Sequence, residues 1–240
     1  MALADRQILL NQRLRASTEA AVRRIWGSLP DYNRPSVEGW LSQVVPVVLA
    51  AQRQEVALTT AYLEAALDRP VTGVDPADLI GSAARAGTSP EEVYTRPFIH
   101  VWQGLAQGRP YVEAVNGGLA RAVSSAVTDV QLSMRNTLRA VGDIDPEIAG
   151  YQRVANSGAC DFCLMLDGAQ FRTSTPMSIH NFCGCGVEPV VYTRGQANRR
   201  NLEMFNESVG TPKGVTIHSH GELGPVISDP SFGFTGPTDF

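Results

Sequence analysis

Four cysteines and one histidine stand in the order Cys160-Asp-Phe-Cys163, sixteen intervening residues, then His180-Asn-Phe-Cys183-Gly-Cys185. The chain has four cysteines and four histidines in all, so thiols placed only for packing have no reason to gather around one imidazole. Two clips separated by a loop are what a tetrahedral metal site requires. A Cys-x-x-Cys turn can bring two sulfurs to about 2.3 Å from one ion, and the loop lets the second clip close the tetrahedron. Cys160, Cys163, His180 and Cys183 are the expected ligands of a structural zinc, with Cys185 supernumerary. A zinc held by four side chains has no open position for water, which makes such a site structural and not catalytic. A redox Cys-x-x-Cys, a disulfide formed on oxidation and uncoordinated thiols are the competing readings. The redox reading lacks the βαβ pattern that a thioredoxin-like site needs around its first clip.

A second histidine group, His218-Ser-His220-Gly-Glu222, offers different chemistry. A His-x-His pair can bind metal from one side of an extended strand, with Glu222 as a nearby base. It superficially resembles the zinc-dependent deubiquitinase-like peptidases, whose His-x-His is followed at fixed spacing by a serine and an aspartate. Here Ser228 and Asp229 are adjacent, which departs from that spacing, and a polar loop is the plainer reading. His100, within Phe98-Ile-His-Val-Trp102, reads as a helix residue half-buried among aromatics. There is no nucleophile-elbow glycine pattern to support a Ser/His protease, and the glycine-rich stretches match no phosphate-binding loop.

The elements that must position these residues begin with a helical half. From Ala2 to Trp26, Leu3, Leu10, Leu14, Ala21, Val22 and Ile25 recur at helical spacing between arginines, an amphipathic stripe. Leu29 to Pro35 breaks it, and Ser36 is the expected N-cap of a second helix running to about Leu67, with Pro46 as a kink or boundary inside it. Asp75-Pro76 opens a short helix that Ala86-Gly87-Thr88 closes. Ser89-Pro90-Glu91-Glu92 opens the next, with an N-cap, a proline and an acidic first turn. Tyr111 to Val141 is the longest pattern, carrying Val112, Val115, Leu119, Val123, Val127, Val130, Met134 and Leu138 on one face. Packing of helix on helix is what such stripes ordinarily mean.

After Gly142-Asp143 the texture changes. Residues 151–193 hold short alternating runs, Ala169 to Thr173 and Val187 to Tyr192, between glycine-rich turns, which predicts a small β-containing module around the cysteines. Small residues flank each clip (Gly158, Ala159, Gly184, Gly186), allowing backbone close to the sulfurs. Asn198 to Phe205 reads as a last helical turn or two. From Val209 the chain is rich in Gly, Pro, Ser and Thr with little periodicity, and is expected to be extended or ordered only by a partner. The fold class is therefore α+β: a helical domain over 1–145, a zinc-knuckle-like module with strands over 146–208, and an extended tail over 209–240.

Composition narrows the function. A hydrophobic share of 43 % against 18 % charged residues excludes disorder over most of the chain. Net charge is −4, so no global basic field advertises nucleic-acid binding. Nineteen of the twenty basic residues are arginine, only Lys213 being lysine, a bias that fits a GC-rich coding genome. The longest apolar stretch, Val44 to Ala51, is far short of the roughly 20 residues that span a bilayer. The first residues show no signal-peptide pattern, so synthesis in a reducing cytoplasm is expected, where clustered thiols favour a metal.

At Cys160-Asp-Phe-Cys163, Leu166-Asp167-Gly168, Phe171 and His180-Asn-Phe-Cys183-Gly-Cys185 leading into Val187 to Val191, the chain resembles the MuF-like minor head (head morphogenesis) proteins of tailed bacteriophages. The motif covers about 40 residues. The arginine-rich composition and the His220 to Pro225 segment look like versions from phages of actinobacteria. The resemblance implies a virion component of the capsid interior or portal vertex, present in several copies. Its partners would be the portal protein and the major capsid or scaffold protein, with transient contact to packaged DNA and no membrane, and its role head assembly or DNA delivery. Related genes in such phages encode capsid maturation proteases. That is the alternative function, with His100 or the His218/His220 pair at its site.

Overall fold

In the computed structural model, residues 2–156, 159–173, 177–180, 183–191 and 216–235 are described. Four long helices form the first half: α1 (Leu3–Gly27), α2 (Ser36–Leu67), α3 (Pro90–Ala106) and α4 (Tyr111–Ile144). Helix α4 is the central one, packing against all three others. From Ala122 to Met134 it is buried on every side, which a one-faced stripe does not anticipate.

The helix ends follow local chemistry. Ser89 caps α3 by accepting the Glu92 N–H at 3.2 Å, while the Glu92 carboxylate accepts the Ser89 N–H at 3.2 Å, a reciprocal capping box. Ser36 is not the cap of α2 but its first residue. The cap is Pro35, which has no side chain to bond, and Asn33 Oδ1 takes the Ser36 N–H instead at 3.2 Å. Pro46 interrupts nothing, since α2 is one continuous helix across it. The segment opened by Asp75 is two 3-10 turns, Pro76–Leu79 and Ala83–Arg85, in place of one short helix. Asp75 accepts the Ala77 N–H at 2.8 Å as expected of a cap.

The helices enclose two core regions. At one end Trp26, Trp40, Tyr94 and Phe98 pack with the valines of α2 and α4, Trp26 meeting Trp40 edge-on at 5.2 Å. At the other end Tyr62, Leu132, Met134 and Leu138 join residues from the strands that follow. The buried face of α1 is displaced from the expected stripe. Leu3 is 41 % exposed, while Gln7, Asn11, Arg15 and Thr18 point inward beside Ile8 and Leu14.

Strands β1 (Ile148–Val154), β2 (Gln170–Arg172) and β3 (Gly186–Val191) form an antiparallel sheet in the order β2-β1-β3, with helix α5 (Asp161–Met165) in the first connection. Both alternating runs read from the sequence thus become strands. The tail departs from expectation. Its described part folds as β4 (Thr216–His220), β5 (Gly224–Asp229) and β6 (Phe234–Thr235), a second antiparallel sheet. It packs into this chain's own core, where Leu223 and Val226 are buried with Tyr62 and Leu138. A parallel bridge between Ile179 and Val226 ties it to the cysteine module. The expected turns at Asn198 to Phe205 lie outside the described residues, as do 209–215 and 236–240. The fold is α+β, with one hydrophobic cluster drawing on the helices, the cysteine module and the C-terminal hairpin alike.

Candidate metal centre

Helix α5 begins immediately after Cys160, whose extended backbone makes it the cap residue. The Leu164 N–H returns to the Cys160 carbonyl at 3.0 Å, so Cys160 and Cys163 lie on one turn and share a face. Across from them the Cys183 N–H closes a turn on the His180 carbonyl at 3.2 Å, and Cys185 directly precedes β3. These elements bring all five donors together. Cys160, Cys163 and His180 form one group, and Cys163, Cys183 and Cys185 another, with donor atoms in each group within 4.8 Å of one another. Cys163 belongs to both. Cys185, read from spacing as supernumerary, is part of the same cluster.

A tetrahedral ion with metal–sulfur bonds of about 2.3 Å separates two sulfurs by about 3.8 Å and a sulfur from a nitrogen by about 3.6 Å. Cys163 Sγ lies 4.0 Å from Cys183 Sγ, and Cys160 Sγ lies 3.8 Å from His180 Nε2, both close to those edges. Cys163 Sγ and His180 Nε2 are nearer, at 2.9 Å, a thiol–imidazole hydrogen bond. Donor types, spacing and burial therefore fit a metal ion. Of the five donors only Cys160 is appreciably accessible, at the edge of a cleft of about 450 Å³ that also touches Gln12, Arg15 and Asn156.

The electrostatics of the cluster are those of a shared thiolate. Hydrogen bonds from Cys163 and then Cys185 hold Cys183 well below the usual thiol range, with Arg153 adding its charge. Cys163 is pushed up by its hydrogen bonds to Cys183 and Cys185 and by burial. For Cys185 the hydrogen bond with Cys163 lowers the pKa, but its bond to Cys183, burial and the neighbouring charge outweigh this and leave it at about 11.

Three groups that spacing did not single out build the surroundings. Arg153 on β1 is fully buried, donating to the Ser178 carbonyl at 2.6 Å and lying 3.7 Å from Cys183 Sγ. Its signal was an arginine at an inward position of a strand, seven residues before the first clip. Arg15 reaches from α1 to the Cys183 carbonyl. Phe234 stacks on the His180 ring at 4.1 Å, and Phe162 meets the same ring edge-on at 5.9 Å, so the C-terminal hairpin covers the imidazole. Gly186 owes its identity to helix docking more than to the sulfurs. A Cβ there would stand 2.5 Å from Ile8 Cγ1 on α1. Gly158 lies outside the described residues.

The other candidate residues do not converge. His218 Nε2 contacts Ser228 Oγ at 2.6 Å across the β4–β5 pair, whereas His220 Nδ1 accepts the N–H groups of Glu222 and Leu223. Arg96 takes the Glu222 carboxylate through two bonds, of 2.9 and 2.5 Å. Asp229 accepts the Ser231 N–H at 3.0 Å and its hydroxyl, closing a turn and not orienting His218. His100 packs over Gly117 on α4, where a Cβ would meet its Nε2 at 2.8 Å. Among the described residues neither metal-capable group includes His100, His218 or His220. No described helix is long and apolar enough to cross a membrane.

No curated protein and no solved structure matches the chain. A family model described as VG15 protein matches residues 2–208, the whole helical half and the cysteine module together. The chain therefore belongs to the VG15 protein family and is a phage-encoded protein.

Proposed function

We propose that the chain is a structural minor capsid protein of a tailed phage, of the MuF-like head morphogenesis kind. It associates with the portal, scaffold or major capsid protein while the head is built, and it has no catalytic role. The observation that carries this reading is the cluster itself. Five donors in the order of the MuF-like motif converge under the cover of α1, β1 and the C-terminal hairpin, in a phage-encoded chain. Cys160, Cys163, His180 and Cys183 hold a structural zinc, with Cys185 beside them, and the metal fixes the small module against the helices. A module with so few core residues of its own gains its rigidity from such a staple.

The test is to purify heads from the phage that encodes the chain and from one in which its gene is interrupted. The chain is expected in virions in a few copies at the portal vertex, with misassembled or empty heads when it is missing. Normal heads without it, or its absence from every head form, would overturn the reading. A second reading, a capsid maturation protease, draws on the His218–Ser228 contact of 2.6 Å. Cleavage of capsid precursor by the purified chain, abolished by His218→Ala, would select it; intact precursor under assembly conditions selects the structural role.

A further inference from the structure

The cluster offers five donors to an ion that takes four, and the fold positions the fifth as firmly as the rest. Cys163 is the corner that the two donor groups share, with Cys160 and His180 in one and Cys183 and Cys185 in the other. Cys163 Sγ reaches His180 Nε2 at 2.9 Å and Cys183 Sγ at 4.0 Å, and the turn between the His180 carbonyl and the Cys183 N–H carries those two residues together. These three form the centre. Cys160 and Cys185 stand at its two ends, the first 3.8 Å from His180 Nε2, the second within 4.8 Å of the Cys163 and Cys183 sulfurs.

The clip that carries Cys185 is held from several sides. Arg15 of α1 takes the Cys183 carbonyl, Asn156 Nδ2 donates to the Gly184 carbonyl at 3.0 Å, and Gly186 pairs with Val154 across β1 and β3. A Cβ on Gly184 would stand 2.7 Å from that Asn156 nitrogen, and one on Gly186 2.5 Å from Ile8 Cγ1. The backbone on both sides of Cys185 is therefore pressed against its neighbours, and Cys185 itself is buried. Cys160 is the contrast. It caps a five-residue helix and is the one accessible thiol, lining the cleft with Gln12, Ala16 and Phe234.

Exchange between the two ends costs no charge. Zinc with three thiolates and one imidazole carries one net negative charge whether the third thiolate is Cys160 or Cys185, and the buried Arg153 beside Cys183 meets the same charge in both. The thiol left out is a small apolar group in the core if it is Cys185, and meets water if it is Cys160.

We propose that Cys160 and Cys185 are interchangeable fourth ligands of one metal ion held by Cys163, His180 and Cys183, and that the exchange leaves Cys160 at the cleft as a site of covalent modification by soft electrophiles. The exchange requires the structural metal proposed above. In it the Cys160–metal bond breaks and the Cys160 sulfur takes up a proton, while Cys185 gives up its proton and bonds to the metal. A maleimide then adds to Cys160: a sulfur–carbon bond forms, the carbon–carbon double bond becomes single, and the thiol proton ends on the neighbouring carbon. The four remaining ligands are all buried, so the modified chain keeps a closed site.

Cobalt(II), substituted for zinc in the full chain, reports the thiolates bound to it through its sulfur-to-metal charge-transfer absorption. Cys160→Ser keeps about one equivalent of cobalt with an undiminished band because Cys185 enters, and Cys185→Ser does the same through Cys160. The double variant Cys160→Ser/Cys185→Ser loses about one third of the band, or the metal altogether. In zinc-loaded wild type, N-ethylmaleimide labels one thiol, assigned to Cys160 by peptide mass, and the zinc stays. In Cys185→Ser the same labelling releases the zinc, since no thiolate remains to replace Cys160. A Cys160→Ser band about one third below wild type overturns the exchange. So does a zinc-loaded wild type that is not labelled at Cys160, or that loses its zinc in step with the label, a result that needs no variant to fold. A wild-type chain that binds neither zinc nor cobalt overturns the metal site itself, and the exchange with it.

Discussion

Glu55 on α2 is completely buried, and its ionisation should set a visible pH dependence of stability. One carboxylate oxygen accepts the Thr59 hydroxyl at 3.1 Å, while the other has no hydrogen-bond partner among the described residues. Burial dominates, and although Arg15 and Thr59 pull the other way, the pKa rises from the ordinary 4.5 to about 7. The folded chain therefore holds this proton more tightly than the unfolded chain. Its contribution is neutral below the unfolded value, becomes progressively destabilising as pH rises from 4.5 to about 7, and is constant above that. A difference of roughly 2.5 pK units corresponds to about 3 kcal/mol, and relaxation of the site brings the expected cost to about 2–3 kcal/mol. Glu55→Gln keeps the shape and removes the charge. Urea unfolding followed by helical circular dichroism should find the variant more stable than wild type by about 2–3 kcal/mol at pH 8, a midpoint shift of about 1 M. At pH 5 the difference should shrink to less than about 1 kcal/mol. Equal differences at both pH values, or a variant less stable than wild type at pH 8, would refute the reasoning.

Two substitutions test the packing around the cluster and the helical half. Gly186→Ala should cost about 1–3 kcal/mol in urea unfolding, because its Cβ meets Ile8 Cγ1 at 2.5 Å and β3 must move off α1; an unchanged midpoint would show that this approach is not tight. Ser89→Ala removes one half of the α3 capping box and should cost about 1 kcal/mol by the same assay, with Ser89→Asp restoring most of it.

Much of the helical half was legible because its signals are local. The Ser89-Pro90-Glu91-Glu92 start and the long α4 pattern need only their own residues to be read. What failed there failed for tertiary reasons. The inward face of α1 carries Gln7, Asn11, Arg15 and Thr18, polar residues that a hydrophobic stripe cannot reveal. Arg15 meets the Cys183 carbonyl, 168 residues away in sequence, and acts on the buried Glu55 of α2, neither of which its own helix reveals. The five donors were legible from type and spacing, and Cys185, directly before β3, stands in the same cluster as the four expected ligands. The hairpin was misread because its strands are short and polar between turn-forming residues, and Phe234 has meaning only beside His180. Arg153 was missed for the same kind of reason: a lone arginine in a strand reads as solvent-facing unless the cluster it borders is already in view.

The central claim is that the Cys/His cluster is a metal staple on which the small module depends. Elemental analysis of the purified full chain, paired with hydrogen exchange over β1 to β3, tests it most directly. The expected result is about one equivalent of zinc in wild type, lost together with amide protection of that module when Cys160 and Cys163 are both replaced by serine. A wild-type chain that carries no metal and still protects β1 to β3 fully would contradict it.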